Sequence, residues 1–325
     1  MAIPPQLLIQ TAQFVWKTMW QTMMSQLAPS DRQGNFQRVA SVFRERVGTA
    51  KYPAAPQRYR LYIGLTCPWA HRTAIARILK GLEEVIEISI AFADVSVGGW
   101  RLENDPTGCT SMKALYQLAQ PGYTGRCSVP VLWDCQTNTI VNNESSEIIV
   151  MLNGEFNDYA QYPDRDLSPV AVQEEGDRLD ELIYRTVNNG VYRCGFARTQ
   201  TAYDQAVGEL FDTLDQLEQR LGDRRYLLGA TLTLSDVRLF TTLIRFDLVY
   251  HGLFKCDRRR IRDYPNLWGY LRDIYQQPGI AATCPLATIK QEYYSSLFPL
   301  NPGGIIPTGI DLASFDEPHN RQTMT

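Results

Sequence analysis

Apolar and polar positions alternate with period two along 60–65 (Arg60-Leu61-Tyr62-Ile63-Gly64-Leu65), which predicts a strand. Thr66-Cys67 follow, and then Pro68, a residue favoured in the first turn of a helix. Beyond it Ala74, Ile75, Ile78, Leu79 and Leu82 recur at helical spacing, so a helix starts at Pro68 with Cys67 at its N-terminus. Further along the pattern predicts a strand at 85–92, a helix near 111–120, strands at 128–134 and 139–142 joined by a polar turn at 135–138, and a helix opening at 144–145. Residues 94–110 read as a long loop containing Gly98-Gly99-Trp100. Long structured loops tend to carry function, so Trp100 is a candidate cover for Cys67, and burial for packing alone is the other reading.

The pattern changes after 157. Tyr203, Val207, Leu210, Phe211, Leu214, Leu217 and Leu221 repeat at threes and fours, ending near Gly222. Thr233 and Asp236 stand at capping-box spacing ahead of a helix that buries Val237, Phe240, Leu243 and Ile244. Another helix is predicted at 264–275. The interleaved first half, ending in a hairpin, is the thioredoxin-like α/β pattern, and the second half is all-helical. The chain divides into an N-terminal extension (1–50), the α/β domain (51–157), a linker (158–168), the helical domain (169–285) and an extended C-terminal tail (286–325). Within the extension, residues 5–28 form an amphipathic helix with an apolar stripe of Leu, Phe, Trp and Met, expected to pack on the body or on a partner subunit rather than on a membrane. Interrupting Gln residues and Lys17 exclude a membrane span, and no signal peptide is read. Residues 30–57 are mixed and polar, a covering segment.

With 325 residues and a net charge of −3, the chain is long enough for two domains and lacks the basic footprint of a nucleic-acid binder. The basic run at 258–262 is flanked by Asp257 and Asp263 and reads as a solvated helix face. Seven scattered cysteines without Cys-x₂-Cys spacing exclude a zinc ribbon and fit a reducing compartment, the cytoplasm. The three histidines (71, 251, 319) show no metal spacing.

The chemistry centres on Cys67. Unpaired N–H groups and the positive dipole end at a helix N-terminus stabilise an anion, so a thiol placed there falls from ~8.5 to between ~3.5 and ~7.5. A small buried cysteine capping the helix would satisfy the same pattern. Ala70 stands where a second cysteine would close an internal disulfide, so a mixed disulfide on Cys67 needs an outside thiol, most simply glutathione. Pro130 inside a strand makes sense if Val129–Pro130 is cis and the Val129 backbone faces a peptide-like ligand; an edge-strand proline is the alternative. Glu144 and Ser145 open a helix and could receive a zwitterionic α-amino-acid end, or serve only as a cap.

A Cys-Pro helix start, an internal Val-Pro, a Glu-Ser helix start and a helical second half together resemble glutathione transferases. Cys67-Pro68-Trp69-Ala70-His71-Arg72, Gly99-Trp100, Val129-Pro130-Val131-Leu132-Trp133-Asp134, Asn142-Asn143-Glu144-Ser145-Ser146-Glu147, Asn188-Asn189-Gly190-Val191-Tyr192-Arg193-Cys194 and Tyr250-His251-Gly252-Leu253 are similar to the Xi class, the glutathionyl-hydroquinone reductases, over roughly 34–310. The resemblance implies that Cys67 attacks the sulfur of a glutathionyl-hydroquinone and that a second glutathione reduces the resulting disulfide. It implies a glutathione site at Trp100, Arg126, Cys127, Ser128, Val129, Glu144 and Ser145, with the 126–129 backbone taking part. Tyr192 matches the proton-shuttling tyrosine, and Tyr250 and Tyr293 match two that line the aromatic site and stabilise the thiolate. Packing is the other use of each tyrosine in a chain with 17 of them. Glutathione is then the co-substrate, no metal is required, and a homodimer is expected. The tail departs from the class, with Glu292 and no histidine around Tyr293-Tyr294. An omega-like thioltransferase or dehydroascorbate reductase, and a non-catalytic binding scaffold, are the competing readings.

Overall fold

The computed structural model describes residues 4–97 and 99–324; Gly98 of the Gly-Gly-Trp run lies outside the described residues. The α/β domain is built on a five-stranded sheet of order β3-β2-β1-β4-β5. Its strands are β1 (Tyr59–Gly64), β2 (Glu87–Asp94), β3 (Gly99–Leu102), β4 (Val131–Asp134) and β5 (Thr139–Asn142). β1 pairs in parallel with β2 and antiparallel with β4, so the sheet is mixed. The expected loop at 94–110 therefore contains a strand: β3 pairs antiparallel with β2, Trp100 opposite Ala93. Pro130 sits just ahead of β4 rather than inside a strand, and the Val129–Pro130 peptide is cis.

An extended helix, α1 (Pro5–Leu27), precedes the sheet. The α/β domain adds α2 (Pro68–Lys80), α3 (Met112–Ala119) and α4 (Ser145–Gly154). Pro68 starts α2, and Gly81 ends it in the left-handed conformation at φ 65°. Buried Lys80 donates to the carbonyls of Pro163 and Arg165 at 3.2 and 2.7 Å, so the linker is docked on the end of this helix.

The helical domain comprises α5 (Gln173–Ile183), α6 (Gly190–Gly195), α7 (Gln200–Arg220), α8 (Leu234–Arg245), α9 (His251–Leu253) and α10 (Pro265–Tyr275). Asp236 closes the predicted capping box: its carboxylate accepts from Thr233 N and Oγ1, both at 2.8 Å, and also from Leu227 N and Tyr270 Oη. Single π-helical turns at Tyr184–Asn188 and Phe246–Tyr250 continue α5 and α8. The run at 258–260 is exposed, as expected, but is an irregular connection and not a helix face; Arg259 lies 3.9 Å over the Tyr264 ring.

Two outer segments differ from expectation. The tail starts as a helix, α11 (Leu286–Ser296), because Leu286, Ile289, Tyr293 and Tyr294 are buried on the helical domain. It later docks again through Arg321, buried and donating to the carbonyls of Leu221, Arg224 and Arg225. Helix α1 packs on the body only at its C-terminal end, where Met24 is buried, Trp20 donates to Pro299 O, and Arg198 holds the Met24 and Ala28 carbonyls. The stripe from Leu7 to Met19 stays exposed on the single chain. Among the described residues no helix is long and apolar enough to cross a membrane.

Candidate active site

Cys67 caps α2 at the floor of the groove between the two domains, and its sulfur lies 3.5 Å from the Val129 carbonyl oxygen. The turn that presents it is held from the opposite domain. Arg245 of α8, fully buried, donates to the carbonyls of Leu65 and Thr66, both at 3.0 Å. It also donates to His71 Nδ1 at 3.0 Å, which leaves the His71 Nε2 proton for Thr283 Oγ1 at 2.7 Å. Burial, followed by the adjacent Arg245 cation, pushes His71 well below its ordinary range, so the ring is neutral.

Two cavities meet at Cys67. The larger, about 590 Å³, is lined by Trp100, Arg126, Ser128, Val129, Glu144 and Ser145, and by residues of the 38–44 segment and α5. Cys127, expected beside them, does not line it; its thiol turns to the Gly125 carbonyl. Tyr116 braces the wall, donating to Ser128 O at 2.9 Å and accepting from Asn143 Nδ2 at 2.9 Å. Glu144 is the N-cap of α4, its Oε1 taking Ser146 N at 3.1 Å and Ser146 Oγ at 3.0 Å. Its Oε2 accepts from Ser41 Oγ at 2.9 Å, which leaves acceptor capacity for one more donor. Capping and binding are thus compatible roles. Trp100 lines both cavities, and its ring lies against Gly64, where a Cβ would collide with it.

The smaller cavity, about 260 Å³, is aromatic: Phe36, Trp69, Trp100, Tyr192, Phe196 and Tyr293 line it together with Cys67. Tyr192 on α6 and Tyr293 on α11 share a hydrogen bond of 2.7 Å, and Tyr250 at the end of the second π turn reaches Tyr293 at 3.1 Å. The three predicted tyrosines therefore form one hydroxyl cluster, although only Tyr192 and Tyr293 face the cavity. Burial raises all three phenols, Tyr250 and Tyr293 well above the usual value, so they stay protonated at neutral pH. Glu292 faces Thr66; burial raises its carboxyl and the Thr66 hydroxyl draws it back.

Sequence reading missed Arg38, Arg72 and Arg245. Arg38 and Arg72 both lie over the Trp69 ring, at 4.4 and 4.5 Å from its centroid, and each is tethered by one of two adjacent asparagines. Asn189 accepts from Arg38 Nε at 2.9 Å and Asn188 from Arg72 at 2.6 Å. Burial lowers Arg72 to about 9. The Asn188-Asn189 pair that holds Arg38 and Arg72 lies far from both in the chain.

A polar groove beside an aromatic pocket, both opening on Cys67, is the setting of the chain's similarity to known proteins. Residues 66–155 match the family model "Glutathione S-transferase, N-terminal domain" and residues 200–273 match "Glutathione S-transferase, C-terminal domain". Glutathionyl-hydroquinone reductase YqjG of Escherichia coli is 48% identical over 89% of this chain and 92% of its own length. Its glutathione-bound structure superposes with a TM-score of 0.82 at 46% identity, covering 88% of this chain and 97% of that one. Glutathionyl-hydroquinone reductase PcpF of Sphingobium chlorophenolicum is 44% identical over 91% of this chain and 94% of its own length. The Xi glutathione transferase structure from Phanerochaete chrysosporium has a TM-score of 0.84 at 42% identity, covering 87% of this chain and 95% of that one. The chain belongs to the Xi class of glutathione transferases. In this Xi-class transferase the thioredoxin-like domain supplies Cys67 and much of the polar wall, the helical domain supplies Tyr192 and Tyr250, and the tail helix supplies Tyr293. Among the described residues no three His, Cys, Asp or Glu side chains gather into a metal-binding group.

Proposed function

We propose that this protein is a glutathionyl-hydroquinone reductase that works through a Cys67–glutathione mixed disulfide. The observation that carries the reading is the position of Cys67 at the junction of a polar, peptide-lined groove and an aromatic pocket. A glutathionylated quinol has that same division, a peptide on one side of its sulfur and an aromatic ring on the other. In the groove the Val129 backbone pairs with the peptide, Ser145 and the α4 N-terminus take a carboxylate, and Glu144 takes the ammonium.

Breaking an aryl C–S bond requires the ring carbon to be protonated, through the ketone tautomer of the quinol. Tyr192, a neutral phenol in contact with Tyr293, moves that proton from ring oxygen to ring carbon. The Cys67 thiolate then attacks the glutathionyl sulfur; an S–S bond forms and the C–S pair passes into the ring as a quinolate. A second glutathione attacks the mixed disulfide, giving oxidised glutathione and free Cys67, and its proton goes to the quinolate. The seven free thiols fit a reducing compartment, and we infer a cytoplasmic homodimer, as the class implies.

The test is stoichiometric. With glutathionyl-menadiol and glutathione, one quinol and one oxidised glutathione form per turnover, and mass spectrometry finds glutathione on Cys67. Rapid reduction of small glutathione mixed disulfides without quinol release would instead make the enzyme a thioltransferase.

A further inference from the structure

Arg38 comes from the polar segment ahead of the sheet, yet it lines both cavities that meet at Cys67. Three rings hold it: Trp69 at 4.4 Å, Tyr192 at 5.1 Å and Phe36 at 5.5 Å from the guanidinium carbon. Its one hydrogen bond among the described residues is from Nε to Asn189 at 2.9 Å, so the four terminal N–H groups have no protein acceptor there and no carboxylate partner. The other charged groups on the aromatic cavity are Arg126 and Asp94, and the Asp94 carboxylate is engaged by Ser96 and Arg101. A caged cation with a free donor fork beside the reacting sulfur is suited to an oxygen that becomes negative during the reaction.

Resting on the proposed reductase reaction, we propose that Arg38 is a catalytic residue that binds the quinol oxygen as it takes up the electron pair of the breaking C–S bond. The ketone tautomer holds a neutral carbonyl next to the carbon that carries sulfur. When Cys67 takes the sulfur, the C–S pair becomes the new ring double bond and the carbonyl oxygen becomes the quinolate. Arg38 therefore binds the transition state more tightly than the bound ketone, which is the condition for raising kcat. The tyrosines are poorly suited to this role, since Tyr293 is engaged by both neighbours and Tyr192 is occupied with the ring-carbon proton.

The experiment is a leaving-group series. Glutathionyl-hydroquinones bearing methyl, hydrogen, chloro and dichloro substituents are turned over by the wild type, Arg38→Gln and Arg38→Lys. Removing an oxyanion donor costs roughly 100-fold or more in kcat. Arg38→Gln should lose about that on the methyl compound and less than about tenfold on the dichloro compound, whose oxygen needs less help. Arg38→Lys, with the charge but not the fork, should fall between. An equal loss across the series would make Arg38 a packing residue, and no loss would remove it from the reaction. Absence of quinol release by the wild type itself would overturn the reductase reading and this inference together; an unchanged slope beside an active wild type would overturn this inference alone.

Discussion

Arg245 reaches across the domain boundary and donates from Nε to the carbonyl oxygen of Thr66 at 3.0 Å, one residue before Cys67. The same side chain holds Leu65 O, His71 Nδ1 and Thr241 O, so one buried cation joins the turn after β1 to α2 and α8. No carboxylate partners it among the described residues; backbone dipoles do that work.

Arg245→Met should leave those carbonyls unsatisfied, each orphan costing ~1–3 kcal/mol. Because the group acts as a unit, the expected loss in urea unfolding is about 3 kcal/mol. Lysine, a compact charge without the planar donor fork, should restore only part of it. A loss below about 1 kcal/mol would mean that the domains are held by packing and not by this clamp.

Tyr192 and Tyr293 should behave as one device. With a 2.7 Å bond between their hydroxyls, removing either disturbs the other. Tyr192→Phe is expected to slow quinol release by about 100-fold, the scale of a general acid–base group, and Tyr293→Phe by about tenfold. In the double variant the losses should not multiply; kcat should match Tyr192→Phe within about threefold. Multiplicative losses would separate the two residues.

What could be read from the sequence was local. A strand ending in Cys67-Pro68, the Val129-Pro130 peptide and the Glu144-Ser145 helix start each carry their signal within a few residues, and the groove was legible from them. Trp100 reads as loop in the sequence because β3 is four residues long and takes its register from β2. The helical start of the tail is not legible locally, because α11 has weak periodicity and is fixed by burial of Tyr293 and Tyr294 on the helical domain. Arg38 and Arg245 have no local pattern at all. Their roles depend on partners 151 and about 180 residues away in the chain.

His71 predicts an acid-sensitive domain interface. Its folded-state pKa lies well below the ordinary 6.5, so below pH 6.5 the unfolded chain binds a proton that the folded chain refuses. Stability therefore falls as pH drops below about 6.5, by up to ~1.4 kcal/mol per pH unit for this one group. Buried Asp180, Asp236 and Asp247 act in the opposite sense, their carboxyls being raised by burial. The difference between wild type and His71→Gln isolates the histidine. Urea unfolding from pH 7 to 5 should be less stable overall but flatter for the variant; parallel curves would show that His71 is free to protonate in the fold.

Gly64 tests whether Trp100 works by its place. The Trp100 ring lies where a Gly64 Cβ would stand, and Gly64 itself has ordinary strand backbone, so alanine is tolerated by the main chain and refused by the ring. Gly64→Ala must push Trp100 away, at an overpacking cost of about 1–3 kcal/mol in stability. Because that ring lines both cavities, glutathione affinity should fall by about tenfold in calorimetric titration, equivalent to ~1.4 kcal/mol. Trp100→Ala should bind glutathione as weakly, and adding Gly64→Ala to it should cost no further affinity, since the clash is gone. An undiminished affinity in Gly64→Ala alone would mean that the groove holds glutathione through Val129, Glu144 and Ser145 without the tryptophan.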